Sequence, residues 1–120
     1  MAAWNRALAA PRWEDPPLWL HGDLHPANVL THAGRLAAVI DFGDITAGDP
    51  ATDLAIAWML FDAPSRERFR AAVACDDATW VRAVGWATAL AVAYIAGSPE
   101  GSPMVPIGLR TLENTRGSVT

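Results

Sequence analysis

Three polar side chains in the first half of the chain have the types and spacing needed for metal-assisted acid–base chemistry. Asp23 comes shortly after the apolar run 18–20, and Asn28 follows it after four intervening residues. Asp41 directly follows a second apolar run, 36–40. A carboxylate can orient a hydroxyl and accept its proton, and carboxylate and amide oxygens are the ligands that Mg²⁺ prefers. The pattern therefore predicts one acid–base residue beside a pair of metal ligands.

The order D-x-x-x-x-N followed by D-F-G is the arrangement that kinase-type enzymes use for phosphoryl transfer. In that arrangement one Asp positions the attacking hydroxyl, while the Asn and the second Asp hold Mg²⁺. Here these positions are Asp23, Asn28 and Asp41. A single carboxylate would carry no information, whereas three groups at these spacings predict a phosphoryl-transfer site.

A β-hairpin is the element that would position two of these groups. The runs 29–31 and 36–40 are strand-like, and Gly34 lies at a turn position between them. A hairpin of this register would deliver Asn28 and Asp41 to the same end. The run 18–20 predicts one more short strand, which leads into the loop that contains Asp23.

The remaining elements are predicted to be helices, which makes the fold class α+β and mostly helical. Residues 1–17 are interpreted as an N-terminal helix and linker, and residues 18–120 as one lobe. Residues 46–50 are expected to form a turn-rich loop. The expected helices are 2–10, 50–61 with Asp49 as its cap, one capped by Ser65, 78–96 capped by Asp77, and 104–114, followed by a frayed tail from Thr115.

Composition excludes several classes of protein. Hydrophobic residues make up 52% of the 120, which is enough to build the core of one small domain. A net charge of −4 argues against nucleic acid as a partner, because phosphate-binding surfaces need clustered cations. The single Cys75 excludes an internal disulfide and any Cys/His zinc pattern.

No targeting or membrane segment is expected. The N-terminus lacks a charged region followed by an apolar one, so it does not resemble a signal peptide. The longest apolar span, Ala83 to Gly97, is shorter than the roughly 20 residues that cross a bilayer. We therefore expect a soluble, cytoplasmic protein without membrane contact.

The motifs HGDLHPAN, IDFGD and GDPATDLA occur in this order between Trp19 and about Phe61. This stretch resembles the aminoglycoside phosphotransferase family, which comprises small-molecule relatives of protein kinases. The resemblance implies a kinase-like C-terminal lobe, in which a short β-hairpin carries the catalytic and metal-binding loops. It also implies transfer of the γ-phosphoryl group of ATP, or of GTP, to a hydroxyl of a small molecule.

The resemblance assigns roles in the reaction to four residues. Asp23 matches the catalytic aspartate that orients the substrate hydroxyl, and Asn28 and Asp41 match the Mg²⁺ ligands. His25 stands where protein kinases place a Lys that faces the γ-phosphate, so it would contact that phosphate. From the residues alone, a scaffolding role for His25 within the loop is as good an interpretation.

Further residues are expected to support the site. Leu30 and Ile40 match the positions that form the floor of the adenine pocket. Asp53 matches an acidic residue that holds the backbone of the catalytic loop, and His21 is expected to bond backbone within that loop. Asp44 is interpreted first as a turn-stabilising residue and second as a group that contacts metal or substrate.

Two features that the family requires are not found in this sequence. No Gly-rich loop precedes Leu18, and the 120 residues include no Lys, so the phosphate-anchoring ammonium is absent. We therefore expect the chain to be the C-terminal lobe alone, with negligible transfer by itself. Its partner would then be a nucleotide-binding N-terminal lobe, or another protein that covers the same surface.

Two other functions stay open. The first is a non-catalytic lobe that binds a partner through the apolar surface around Leu30 and Ile40. The second is a metal-dependent hydrolase with Asp23, His25 and Asp41 as ligands, although hydrolytic sites generally collect more His and carboxylate ligands.

Overall fold

The computed structural model describes residues 2–118. Helices make up 56% of it, and the strands form two small antiparallel sheets, so the predicted α+β, mostly helical class is confirmed. The helices are α1 Ala2–Ala9, α2 Ala51–Leu54, α3 Ile56–Leu60, α4 Ala63–Val73, α5 Asp77–Gly97 and α6 Met104–Arg116. The strands are β1 Leu18–Leu20, β2 Val29–His32, β3 Arg35–Val39 and β4 Thr46–Gly48.

Strands β2 and β3 form the predicted hairpin. Ala33 and Gly34 make its turn with φ of 49° and 75°, the left-handed pair that two-residue hairpin turns favour. Beyond the strands the pairing continues, because the Ile40 N–H donates to the Asn28 carbonyl oxygen at 2.9 Å. The residues before β2 and after β3 therefore lie side by side at one end of the hairpin.

The prediction of a loop at residues 46–50 is wrong for its first three residues. Thr46–Gly48 form β4, which pairs antiparallel with β1 so that Leu20 faces Thr46 and Leu18 faces Gly48. A three-residue strand that ends in Gly is too short to show the alternation of apolar and polar residues by which strands are recognised. Its partner strand β1 also lies far away in the sequence, so no local pattern predicts the pairing. The pairing anchors both ends of the segment that contains Asp23 and Asp41.

Helix α5 is the central element against which α1, α2 and α6 pack. Two glycines permit this close packing: a Cβ on Gly85 would collide with Ala7 of α1, and one on Gly108 would lie 2.8 Å from the Ala91 carbonyl oxygen. The core cluster is mostly small residues around two Trp side chains. Its members are Ala3, Ala51, Ala55, Ile56, Ala57, Trp58, Met59, Trp80, Ala83, Val84 and Ala87.

The apolar helix is longer than the sequence suggested. Helix α5 has 21 residues with a mean hydropathy of 1.3 in its most apolar window, so by length and composition it is long enough to cross a membrane. Core helices of soluble proteins pass the same test, and α1, α2 and α6 all pack on this one. The expected absence of membrane contact stays a prediction.

Two helices are capped by a residue that lies one or three positions before the predicted one. Asp62, not Ser65, caps α4, and its carboxylate accepts a hydrogen bond from the Ser65 N–H at 2.9 Å. Asp76, not Asp77, caps α5 in the same way through the Thr79 N–H at 2.7 Å. Because these bonds stabilise the ionised form, the pKa of each capping carboxyl lies below its usual value.

The helix predicted for 50–61 is interrupted, and the last helix is longer than predicted. Ala55 separates α2 from α3, and the Trp58 N–H donates to the Ala55 carbonyl, one residue short of α-helical spacing. At the other end, α6 continues through Arg116, and Thr115 is buried. The expected fraying from Thr115 is therefore wrong for Thr115 and Arg116, while residues 119–120 lie outside the described part.

Candidate active site

The loop after β1 is held in place by a carboxylate from α2. Asp53 accepts hydrogen bonds from the His21 N–H at 2.8 Å and from the Gly22 N–H at 3.1 Å. Such bonds to an ionised acceptor are stronger than neutral ones. The backbone from which Asp23 projects is thereby fixed to the helix that follows the second loop.

His21 joins the same loop to the end of the hairpin. Its Nε2 lies 2.7 Å from the Ile40 carbonyl oxygen, and its Nδ1 lies 3.1 Å from the Asp23 N–H. A carbonyl only accepts and an amide N–H only donates, so Nε2 must carry the proton and Nδ1 the lone pair. The ring also packs on Phe42, with centroids 4.6 Å apart. His21 therefore bridges the loops that carry Asp23 and Asp41.

Asn28 lies at the centre of the arrangement and is buried. Its side-chain amide donates to the Asp23 carbonyl oxygen at 2.8 Å and lies 3.4 Å from the Asp23 carboxylate. These contacts orient the amide nitrogen toward Asp23. The side-chain hydrogen bonds that Asn28 makes to described residues all use its amide nitrogen.

Asp41 lies beside Asn28 because of the Ile40–Asn28 backbone hydrogen bond. Its φ of +62° is a left-handed conformation that is uncommon for a residue with a side chain. The two loops also touch at Gly22, whose φ is +92° and where a Cβ would collide with the Asp44 carbonyl oxygen. Backbone strain at Asp41 and close approach at Gly22 thus coincide where the loops that carry Asp23 and Asp41 touch.

His25 is enclosed rather than exposed. It is 8% exposed, and its Nε2 lies 3.3 Å from the Asn28 amide and 3.5 Å from the Asp23 carboxylate. Its Nδ1 is buried without a hydrogen-bond partner among the described residues. This packing favours the scaffolding interpretation of His25, while the phosphate contact stays a prediction.

Tyr94 of α5 is a member of the site that the sequence did not reveal. Its ring packs edge-on against His25, with centroids 5.9 Å apart at 78°. Burial, and secondarily the negative charge of Asp23, raises the pKa of the Tyr94 phenol to about 12. No local motif surrounds Tyr94, so only the packing of α5 against the loop could identify it.

Leu30 and Ile40 lie on one face of the hairpin. Leu30 pairs with Ala38, and Ile40 follows two residues later, so strand alternation points both side chains the same way. They are 46% and 40% exposed. An apolar surface thus adjoins Asn28 and Asp41, and its assignment to an adenine pocket stays a prediction.

The donor set fits Mg²⁺ better than a hydrolytic metal centre. Asn28 and Asp41 would supply two hard oxygen ligands, and Mg²⁺ typically takes one or two from protein and the rest from phosphates and water. Within residues 2–118, no group of three His, Cys, Asp or Glu side chains has the arrangement of a metal site. The alternative with Asp23, His25 and Asp41 as three ligands therefore has no structural support.

The structure thus defines a helical α+β domain with polar groups from two adjoining loops at the end of a hairpin. A model of the phosphotransferase enzyme family matches residues 1–88, and the chain belongs to that family. Searches of curated proteins and of solved structures gave no match. The match includes α1 and extends across the predicted boundary between residues 17 and 18. The division of the chain at that boundary stays a prediction.

Proposed function

We propose that this chain is the kinase-like C-terminal lobe of a phosphotransferase that moves the γ-phosphoryl group of ATP, or of GTP, to a hydroxyl of a small molecule. The observation that carries the proposal is the position of Asn28. Its side-chain amide bonds to Asp23, and its backbone carbonyl bonds to the residue before Asp41. These contacts support the proposal that an acid–base group and two metal ligands from separate loops act at one place.

In this proposal each residue has a separate task. Asp23 accepts a hydrogen bond from the substrate hydroxyl and orients its oxygen toward the phosphorus. The Oδ1 of Asn28 and the carboxylate of Asp41 would hold Mg²⁺, which would supply positive charge to stabilise the phosphoryl group during transfer. Asp53 and His21 keep the two loops in register, so their effect on the reaction is through position.

The proposal requires a nucleotide-binding lobe in addition to residues 1–120. The sequence has no Lys to anchor the phosphates, and the apolar face with Leu30 and Ile40 is open. A second lobe placed on that face would cover the apolar surface and complete the nucleotide site. We infer that the isolated chain transfers phosphate negligibly.

The test is to fuse an N-terminal lobe from the same family to residue 1 and measure Mg²⁺-dependent transfer from labelled ATP to a panel of aminoglycosides and amino alcohols. The fused protein is expected to label at least one acceptor. Asp23→Ala should abolish the labelling, whereas Asp15→Ala, at an exposed carboxylate outside the site, should not. Activity that survives Asp23→Ala would show that the catalytic assignment is wrong.

A second function is favoured by the amount of exposed apolar surface. Trp19 is 80% exposed, Leu36 68% and Ile45 56%, and all three belong to the two sheets or the loop between them. Exposed apolar side chains mark interaction sites where they form a contiguous patch. The chain would then be a binding lobe without catalysis. Size-exclusion chromatography distinguishes this binding function from the catalytic one. A binding lobe of this kind self-associates or captures a partner, so a chain that elutes only as a monomer would contradict the binding function.

A further inference from the structure

A cavity of about 470 Å³ lies far from the candidate active site along α5. Its α5 lining extends from Asp77 to Val84, whereas Tyr94 is the α5 residue that contacts the candidate active site. Ten helical residues separate Val84 from Tyr94, a distance of about 15 Å. The cavity is therefore a separate feature that phosphoryl transfer does not use.

Arg66 is the most unusual residue in the wall of this cavity. Its guanidinium is buried, and it donates to the Ala57 and Phe61 carbonyl oxygens at 3.0 Å each. No carboxylate in residues 2–118 forms an ion pair with it. Burial lowers the pKa of Arg66, and the nearby charges of Glu67 and Asp62 offset this only in part.

Arg70 lies one helical turn further along α4 and faces the same cavity. Its guanidinium lies 5.3 Å above the Trp80 ring, as that of Arg66 lies 5.7 Å from Trp58. The only carboxylate paired with it among the described residues is Asp77, at 2.7 Å, and the Asp77 side chain is 95% exposed. Both guanidiniums are thus held in place by aromatic rings, and one of them has only a weak, solvated partner.

We propose that this cavity binds a small organic anion through a carboxylate or phosphate head group held by Arg66 and Arg70. Arginine presents several N–H donors in a planar fork that matches oxyanions. The volume exceeds that of a bare ion and falls in the range of small-molecule sites. Val81 and Val84 in the wall offer contact to an apolar body attached to the head group.

The test uses the full chain and three probes of similar size: benzoate, phenyl phosphate and the neutral benzamide. Binding is followed by the NMR signals of the Trp58 and Trp80 indole N–H groups. At least one of the two anions should shift these signals saturably, while benzamide should not. No saturation by either anion up to about 20 mM, or equal binding of benzamide, would overturn the proposal.

Three variants test the direction in which the affinity for the anion changes. Arg70→Gln should weaken anion binding about tenfold, because a charge-assisted bond is lost. Asp77→Asn should strengthen it about two- to fivefold, since it frees Arg70 from a competing carboxylate. Arg68→Gln is the matched control: it removes the same charge from an exposed position of α4 outside the cavity, and should leave affinity unchanged. Equal loss in Arg70→Gln and Arg68→Gln would show a general charge effect and overturn the proposal.

Discussion

At the scale of single residues, the candidate active site depends on backbone geometry as much as on carboxylates. Gly22 and Asp41 both adopt positive φ, and the Gly22 backbone approaches Asp44 so closely that no side chain fits between them. Asp53 satisfies the two N–H groups that this loop conformation exposes. The loop conformation is therefore maintained by contacts outside the loop itself.

Gly22→Ala is expected to be more destabilising than Gly34→Ala. Both glycines have positive φ, so both variants bear similar backbone strain. Only Gly22 is crowded, whereas nothing lies within 4 Å of a Cβ on Gly34. We expect an additional cost of about 2 kcal/mol at Gly22, measured by urea unfolding with Trp fluorescence. Equal costs would mean that the two loops are not in contact.

Titration of the Tyr94 phenol reports on the surroundings of Asp23, and its signal is unambiguous because Tyr94 is the only tyrosine in the chain. Its pKa of about 12 exceeds the ordinary value of 10.0, so the folded state holds the phenolic proton more tightly than the unfolded state. This pKa difference contributes to the free energy of unfolding, and the contribution is fully present below pH 10 and is lost as the pH rises to 12. Tyr94→Phe should therefore reduce the fall in unfolding midpoint over this interval.

The same titration reports on the proximity of Asp23. Removing its charge by Asp23→Asn should lower the pKa of Tyr94, as read from near-ultraviolet absorbance, while burial keeps it above the ordinary value. Asp15→Asn provides the control at an exposed position. If both variants leave the Tyr94 titration unchanged, Asp23 does not face Tyr94 as described.

At the scale of elements, sequence patterns predicted contacts between neighbouring segments of the chain and missed contacts between segments that are remote in sequence. The hairpin follows from two strand-like runs and Gly34, so its ends and the neighbourhood of Asn28 and Asp41 could be predicted. Strand β4 could not, because its pairing with β1 is remote in sequence. Several residues near a helix start can act as caps, which explains why Asp62 and Asp76 were each missed by a short register error.

The packing of α1 on α5 depends on Gly85, so Gly85→Ala should be destabilising even though Ala is the better helix former. The added methyl would overlap Ala7 and push the helices apart, at an expected cost of about 1–3 kcal/mol. Gly97→Ala, in the same helix where the space is open, should be neutral or stabilising by up to about 1 kcal/mol. Urea unfolding of both variants measures the difference, and a stabilising Gly85→Ala would contradict the packing.

At the scale of the whole molecule, two separate candidate sites lie along one central helix. The polar loops adjoin Tyr94, and the arginine-lined cavity surrounds the first turns of α5. Sequence motifs indicate candidate residues for the first site because these are close together along the chain, and their roles stay a prediction. The cavity is lined by four helices, α1, α3, α4 and α5, and by residues 117–118, and no spacing in the sequence relates Arg66 to Trp58 or Val84.

The central claim is that Asn28 and Asp41 bind one metal ion beside Asp23. Its most direct test is a titration of the full chain with Mn²⁺, in which paramagnetic loss of NMR signal reports proximity to the ion. The signals of the Asn28 side-chain amide and of the backbone at residues 23 and 41–43 should fade together, and Asp41→Asn should prevent it. Loss confined to exposed carboxylates such as Asp62 and Asp76, with the Asn28 amide unaffected, would contradict the account.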